Sequence, residues 1–358
     1  MENSGISWTH NTQNFWVGCD KVAPECAKCY IGRILPKQHR ESWGTVYRTE
    51  TWAEPWKWEQ DCIRTGKSKR VFTCSLSDFF HVKADPWRRE AWAVIKHTPH
   101  LVWLVLTKRP ELIEARLPRD WGSGYPNVWL GVSTGCRKTL NKMNTLRRIP
   151  AAVRWISAEP LLEDISADIN LDGFAWVVVG GESGAGKEYL WKPDTTLKAD
   201  LKDEDGRRTM RYQWAARLRD KVKAAGLPFM FKQVTAPRSG FGYNALAGGY
   251  VNNVLQEQDW HEFPPAPNGL EWAPRQAIPD KYKMSLVQIS EFRKGLRYPF
   301  VDTRRITVKF KPWSDDRLFR ELQDRVRRGE EGAERDMRIF LTGRPEMAEQ
   351  LAANQKKQ

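Results

Sequence analysis

From about residue 70 to residue 235, short apolar and β-branched runs alternate with longer stretches whose apolar positions recur at helical spacing. The runs at 71–74, 101–106, 128–132, 153–157, 176–179 and 228–231 are apolar on both faces, the pattern of parallel strands covered on both sides. Between them, Asp85-Pro86 offers a cap and a first-turn proline ahead of Trp87, Ala91, Val94 and Ile95. Leu140, Met143 and Leu146 form a second stripe. Trp214, Leu218 and Val222 form a third, closed by Gly226-Leu227-Pro228. This alternation predicts an α/β fold of β/α units, closed into a parallel barrel or laid out as a doubly wound open sheet.

The pattern changes after the last run. Residues 236–282 are rich in Gly, Pro and Asn and read as a long irregular segment. Residues 306–310 alternate like a strand, and Ser314-Asp315-Asp316 caps a helix bearing Leu318, Phe319, Leu322 and Val326. The expected organisation is a sheet-bearing region over 1–235, an irregular segment over 236–284 and a C-terminal α+β extension over 285–358. No internal repeat of fixed period is present.

Composition narrows the class. Lys and Arg outnumber Asp and Glu by 58 to 44, a formal charge of +14 that favours a nucleotide or nucleic-acid partner over solubility alone. The 18 tryptophans supply aromatic walls, for a core or for stacking. Six cysteines in 358 residues do not make a disulfide scaffold. The first residues lack the basic and apolar regions of a signal peptide, and no run approaches the ~20 apolar residues that span a bilayer. A cytoplasmic protein with reduced thiols and no membrane association is expected.

The strongest chemical signal is Cys19, Cys26 and Cys29, three thiols within eleven residues and followed by Tyr30. By spacing, they suit either three corners of an iron–sulfur cubane with one iron left open, or zinc with His10 or His39 as fourth ligand. Polar residues also recur where each strand ends, the edge that carries function in β/α folds. They comprise Ser75, Ser77, Asp78 and His81; Thr107, Lys108 and Arg109; Ser133 and Thr134; Ser157 and Glu159; Gly180, Gly181, Glu182 and Ser183; and Lys232-Gln233. Singly, each Ser, Asp or Glu is as well explained by helix capping, and His81 by a loop hydrogen bond. Their recurrence at one edge predicts a shared pocket. The glycine-rich stretch lacks the spacing of a nucleoside-triphosphate loop.

In order along the chain stand Ile6-Ser-Trp-Thr, Gly18-Cys-x6-Cys-x2-Cys-Tyr30, Ser75-Leu-Ser-Asp-Phe-Phe-His81 and Leu106-Thr-Lys-Arg-Pro110. Pro126-Asn-Val-Trp-Leu-Gly-Val-Ser133, Ser157-Ala-Glu-Pro-Leu-Leu162, Trp176-Val-Val-Val-Gly-Gly-Glu-Ser183 and Pro228-Phe-Met-Phe-Lys-Gln233 continue the series. Together, up to about Pro264, they resemble a phage- and bacteria-borne three-Cys-motif family related to radical SAM enzymes. The resemblance implies a partial (β/α)6 TIM-like barrel with a [4Fe–4S] cluster on Cys19, Cys26 and Cys29 and S-adenosylmethionine (SAM) on the open iron. It implies SAM contacts from Gly180, Gly181, Glu182 and Ser183, with Tyr30, Ser75, Ser77, Ser133 and Ser157 around the same site. Two features depart from the broader radical SAM pattern: the first cysteine loop is three residues longer, and Gly-Gly-Glu follows a late strand.

The function so implied is reductive cleavage of SAM to modify or repair a nucleotide or nucleic acid, with an electron donor such as flavodoxin or ferredoxin. Asp78, Glu159 and Lys108 are the expected pocket side chains, the carboxylates facing an amino group and Lys108 an anion. Lys187, Arg207, Arg208 and Arg211 are candidates for phosphates, with Trp191 or Trp214 for a base, although Trp214 lies on a helix stripe. The rival class is a metal-stabilised nucleic-acid-binding protein without turnover. A third possibility is a subunit that needs a protein partner.

Overall fold

The computed structural model describes residues 2, 4–31, 44–183, 208–236, 240–246, 250–251, 254–255, 260–275, 277–278, 280–284 and 286–293. The chain divides into two units, Met1–Phe300 and Val301–Gln358. The expected strand at 306–310 and helix at 318–326 lie in the second, outside the described residues.

Seven parallel strands form one sheet in chain order: β1 Asn11–Gln13, β2 Lys67–Thr73, β3 Leu101–Thr107, β4 Val128–Ser133, β5 Val153–Ala158, β6 Trp176–Gly180 and β7 Phe229–Gln233. The sheet curls into a half-barrel. All six apolar runs coincide with strands; five reach one or two residues farther at their C-terminal ends, whereas β2 begins four residues before its run and stops at Thr73. An eighth strand, β8 Glu271–Trp272, pairs in parallel with the start of β2, beside the edge that β1 occupies farther along. Four helices pack on one face: α1 Glu54–Thr65, α2 Asp85–Lys96, α3 Asn141–Arg147 and α4 Tyr212–Ala224. Pro86 opens α2, where a missing N–H costs nothing, and Gly66 at φ +66° closes α1. The crossovers after β3 and β5 contain no α-helix; two 3-10 turns, Pro110–Leu112 and Glu114–Arg116, follow β3.

Alternation along the strands divides the core in two. Val71, Trp103, Val105, Leu130, Val132, Ile156, Val177, Val179 and Phe231 face the helices. Phe72, Leu104, Trp129, Trp155, Trp176, Val178 and Met230 face the concave side, where Trp8, Phe263 and Trp272 pack on them. Among the described residues 11 of 15 tryptophans are buried, so most of that indole content is core. Gly131, on β4, makes room for the Trp155 ring, whose Nε1 donates to Trp129 O at 3.1 Å. The segment expected to be irregular supplies Phe263 and Trp272 to this packing. It also holds a short antiparallel pair, Tyr250–Val251 with Val254–Leu255.

No helix among the described residues is long and apolar enough to cross a membrane.

Candidate functional site

The alternation that sends Leu104, Trp129, Trp155 and Met230 to the concave side also sends Leu106 and Lys108, Ser133, Ser157 and Glu159, and Lys232 there, one or two steps nearer the C-terminal edge. Above the indole layer these side chains line a pocket of about 460 Å³, within the usual range of small-molecule sites. It gathers Cys19, Cys26, Cys29, Tyr30, Ser75, Ser77, Asp78, Lys108, Ser133, Ser157, Glu159, Gly181, Glu182 and Ser183. Of the expected cluster, SAM-contact and pocket residues Gly180 is outside its lining, and of the wider strand-end ring His81, Thr134 and Gln233 are outside it too.

The cysteine loop is seated on the 75–81 segment. Gly18 has φ +100°, and a Cβ there would overlap Thr45 O, so only glycine opens the loop. Its N–H donates to Leu76 O at 2.9 Å and its carbonyl accepts from Ser77 Oγ. Cys26 closes a 3-10 turn, Pro24–Cys26, and Cys29 N donates to Cys26 O at 3.2 Å. Tyr30 OH donates to Ser75 O at 2.5 Å. Asn14 Oδ1 accepts from Leu76 N and Ser75 Oγ. Gly181 lies so close to the 234–235 backbone that a Cβ would overlap Thr235 N.

Most of the pocket carboxylates are already held. Asp78 Oδ1 accepts from Thr107 Oγ1 at 2.7 Å and Phe80 N at 2.9 Å. Its Oδ2 accepts from Lys108 N at 2.9 Å and pairs with Arg109 Nη1 at 3.1 Å. The carboxylate thereby orients Lys108 and Arg109. Arg109 in turn donates to Cys19 Sγ at 3.6 Å and to Asp20 O at 3.0 Å. Glu159 pairs with Lys232, and Ser133 Oγ donates to Glu159 O at 3.1 Å. Glu182 accepts from Arg208 N at 2.8 Å and Nε at 3.0 Å, and pairs with Nη2. Arg208 Nη1 then reaches Pro24 O at 2.7 Å, joining the Gly-Gly-Glu strand end to the cysteine loop.

Glu25, inside that loop, went unread in the sequence; its only signal was an acid between two cysteines. It is 3% exposed, and its Oε1 accepts from Gly135 N at 2.8 Å and Thr139 Oγ1 at 2.5 Å. Burial opposes its charge, but those two donors and the nearby Lys108 ammonium outweigh burial and hold its carboxyl below the usual range. Burial likewise pulls on Lys108, yet Cys26, Glu25, Cys29 and Asp78 raise it above an ordinary lysine.

Burial pushes the Cys19 thiol up to about 12, helped by Asp78 and opposed by Arg109, and it raises Cys29 as well. Binding a metal at these thiols must therefore expel protons, and Lys108 and Arg109 supply positive charge that favours the thiolates. The three thiols line one pocket together with Lys108 and Arg109. A single zinc, with bonds of about 2.3 Å, needs its donors drawn within roughly 4 Å of each other. Among the described residues no three His, Cys, Asp or Glu side chains gather to hold one metal ion.

Several expectations change. His10 is no fourth ligand: it lines a separate cavity, Nδ1 accepts from Arg70 N at 2.8 Å, and Nε2 donates to Ala273 O at 2.8 Å. Arg208 is no phosphate grip, because its guanidinium is buried against Glu182. Trp214 packs on the helix-side core, with Arg211 over its ring at 5.7 Å. His81 is a loop residue fixed at both nitrogens, Nδ1 accepting from Lys83 N and Nε2 donating to Asp20 at 2.9 Å. His39, Lys187, Trp191 and Arg207 lie outside the described residues.

A family model described as "Protein of unknown function (DUF5131)" matches residues 3–195. No curated protein and no solved structure matches.

Proposed function

The chain belongs to the DUF5131 family of proteins of unknown function, and on that premise we propose that its pocket is the cofactor site of a radical SAM-type [4Fe–4S] enzyme. The observation that carries the reading is the meeting of Cys19, Cys26 and Cys29 with the strand-end polar ring in one cavity. On this reading the half-barrel is a partial (β/α)6 barrel in which two crossovers are shortened to turns and loops.

Cys19, Cys26 and Cys29 would hold the cluster, which when bound supplies one electron for reductive cleavage of SAM. The protein's own groups have separate tasks. Arg109, fixed by Asp78, donates to Cys19 Sγ and offsets the negative charge of a thiolate-held cluster. Trp8, Phe72 and Leu106 form the apolar part of the wall and exclude water. The Glu159–Lys232 pair adds charged groups to the lining of the same pocket. A nucleotide or nucleic acid is the substrate class that the +14 charge favours. A donor such as flavodoxin or ferredoxin would deliver the electron.

Anaerobic reconstitution with iron and sulfide, followed by dithionite and SAM, is expected to give a brown protein that releases 5′-deoxyadenosine. Release that survives Cys29→Ala overturns the reading. The second reading, a metal-stabilised nucleic-acid-binding protein, draws on the other cavity, about 390 Å³ and lined by Arg64, Lys67, Lys69 and Arg275. A colourless zinc protein that binds nucleic acid would favour it.

A further inference from the structure

The second cavity, about 390 Å³, lies where β1, the start of β2 and the chain after β8 meet α1. Four cations line it, Arg64, Lys67, Lys69 and Arg275, against one carboxylate, Asp61. Asp61 pairs with Arg64 and, at 2.5 Å, with Lys69. Lys67 lies 3.4 Å from the exposed Glu271, which is outside the lining. Arg275 is the cation left over. Its Nε donates to Thr9 O at 3.1 Å, and the chain just before it is strapped down at Ala273, which donates to Ser68 O at 2.8 Å and accepts from His10. The half-buried guanidinium is thus fixed through one nitrogen, and its two Nη groups have no hydrogen bond or ion pair among the described residues. Arg70 adds to the same field. It is 3% exposed, its Nη1 is buried without a hydrogen-bond partner, and burial and the Arg275 charge pull its pKa down to about 9 with no carboxylate opposing them. His10, on the cavity wall, is kept neutral by burial and by Arg70, Arg275 and Lys69.

We propose that this cavity is a phosphomonoester site, in which the two Nη groups of Arg275 donate to phosphate oxygens while Lys67 and Lys69 balance the remaining charge. A guanidinium fork matches phosphate bidentately, and one already fixed through Nε loses little freedom on binding. Neighbouring guanidinium groups without a counter-charge are costly to bury, and an anion removes that cost. Four lining cations less one carboxylate leave an excess of three positive charges. A phosphomonoester brings about −1.5 to −2 at pH 7, a closer answer than the single charge of a carboxylate or a phosphodiester. Ser4, His10 and Asn11 of the lining are buried, so the cavity is a recess that takes a chain end rather than a strand passing through. Ser4 also lines the main pocket, and a nucleotide end anchored here would stand beside it. This site deepens the nucleic-acid side of the proposed function and rests on it only for the class of ligand; neither cluster nor SAM enters.

The test is fluorescence anisotropy of the full chain with an oligonucleotide labelled on an internal base and ending in a 5′-phosphate, a 3′-phosphate or hydroxyls alone. A nucleoside 5′-monophosphate is titrated alongside by calorimetry. A terminal phosphate is expected to tighten binding about tenfold, and Arg275→Gln to abolish that gain. Lys67→Gln changes only a solvent-facing ion pair; it is expected to cut the gain about threefold, and it decides the matter should Arg275→Gln fail to fold. Equal affinity for all three ends, or an undiminished gain in either folded variant, overturns the site. A protein that binds every end alike keeps nucleic-acid binding and loses the site. One that takes the monophosphate, loses it in Arg275→Gln and binds no oligonucleotide keeps the site and assigns it to a free nucleotide.

Discussion

Asp78 carries more of this site than its type announces. Four donors converge on its two oxygens, two of them main-chain N–H groups, and the Arg109 charge lies 3.1 Å away with both partners under 8% exposed. Asp78→Asn replaces an acceptor with an amide N–H facing other donors and strips Arg109 of its counter-charge. A loss of about 3–5 kcal/mol is expected in urea unfolding, the range for breaking a buried pair from one side. His10 makes a second prediction. Burial and the Arg70 charge lower its pKa to about 3, so the folded protein keeps the ring neutral where the unfolded chain protonates it. Its contribution is complete above pH 6.5 and drains away as pH falls from 6.5 towards 3, reaching about 2 kcal/mol by pH 5. His10→Gln is expected to be less stable at pH 8 but to show a shallower decline to pH 5. An equally steep decline would assign the effect to other groups. The sequence disclosed which residue types crowd the strand ends, but not who holds whom: that Glu182 belongs to Arg208 depends on a pairing across 26 positions.

The strands were legible because being apolar on both faces is a physical demand of a covered parallel sheet, written residue by residue. β1 was not. Asn11, Thr12 and Gln13 are polar yet almost wholly buried, so no hydropathy rule finds them, and their partner β2 begins with an equally polar Lys-Ser-Lys-Arg. Arg70 in that stretch is buried by stacking at 3.7 Å over Phe263 and 4.6 Å over Trp272, an environment fixed only by tertiary packing. The crossovers after β3 and β5 were unreadable as helices because none is there. The tryptophan layer tests the element scale. Trp155 rests edge-on to Trp8 at 5.2 Å and beside Trp176 at 5.2 Å, over a glycine that leaves nothing to fill its place. Trp155→Ala is expected to cost about 3–5 kcal/mol in urea unfolding. A cost below 1 kcal/mol would show that the concave layer collapses around the gap.

Across the whole chain the excess of 14 positive charges is the feature most open to test in bulk. If the substrate is a nucleic acid, affinity must fall with salt as bound counterions are released. Two phosphate contacts alone cost about tenfold between 50 and 200 mM. Fluorescence anisotropy with a labelled oligonucleotide measures this directly, and a flat response would turn attention to a substrate of one or a few nucleotides.

The indole layer also dictates a sequence of events. Trp129, Trp155 and Trp176 close the concave face of the sheet beneath the pocket. If the pocket takes a cofactor against the cysteine loop and a substrate above it, the cofactor is expected to bind first. Steady-state kinetics with both ligands varied should then give the signature of compulsory-order binding, with the upper ligand trapping the lower one in isotope-chase experiments.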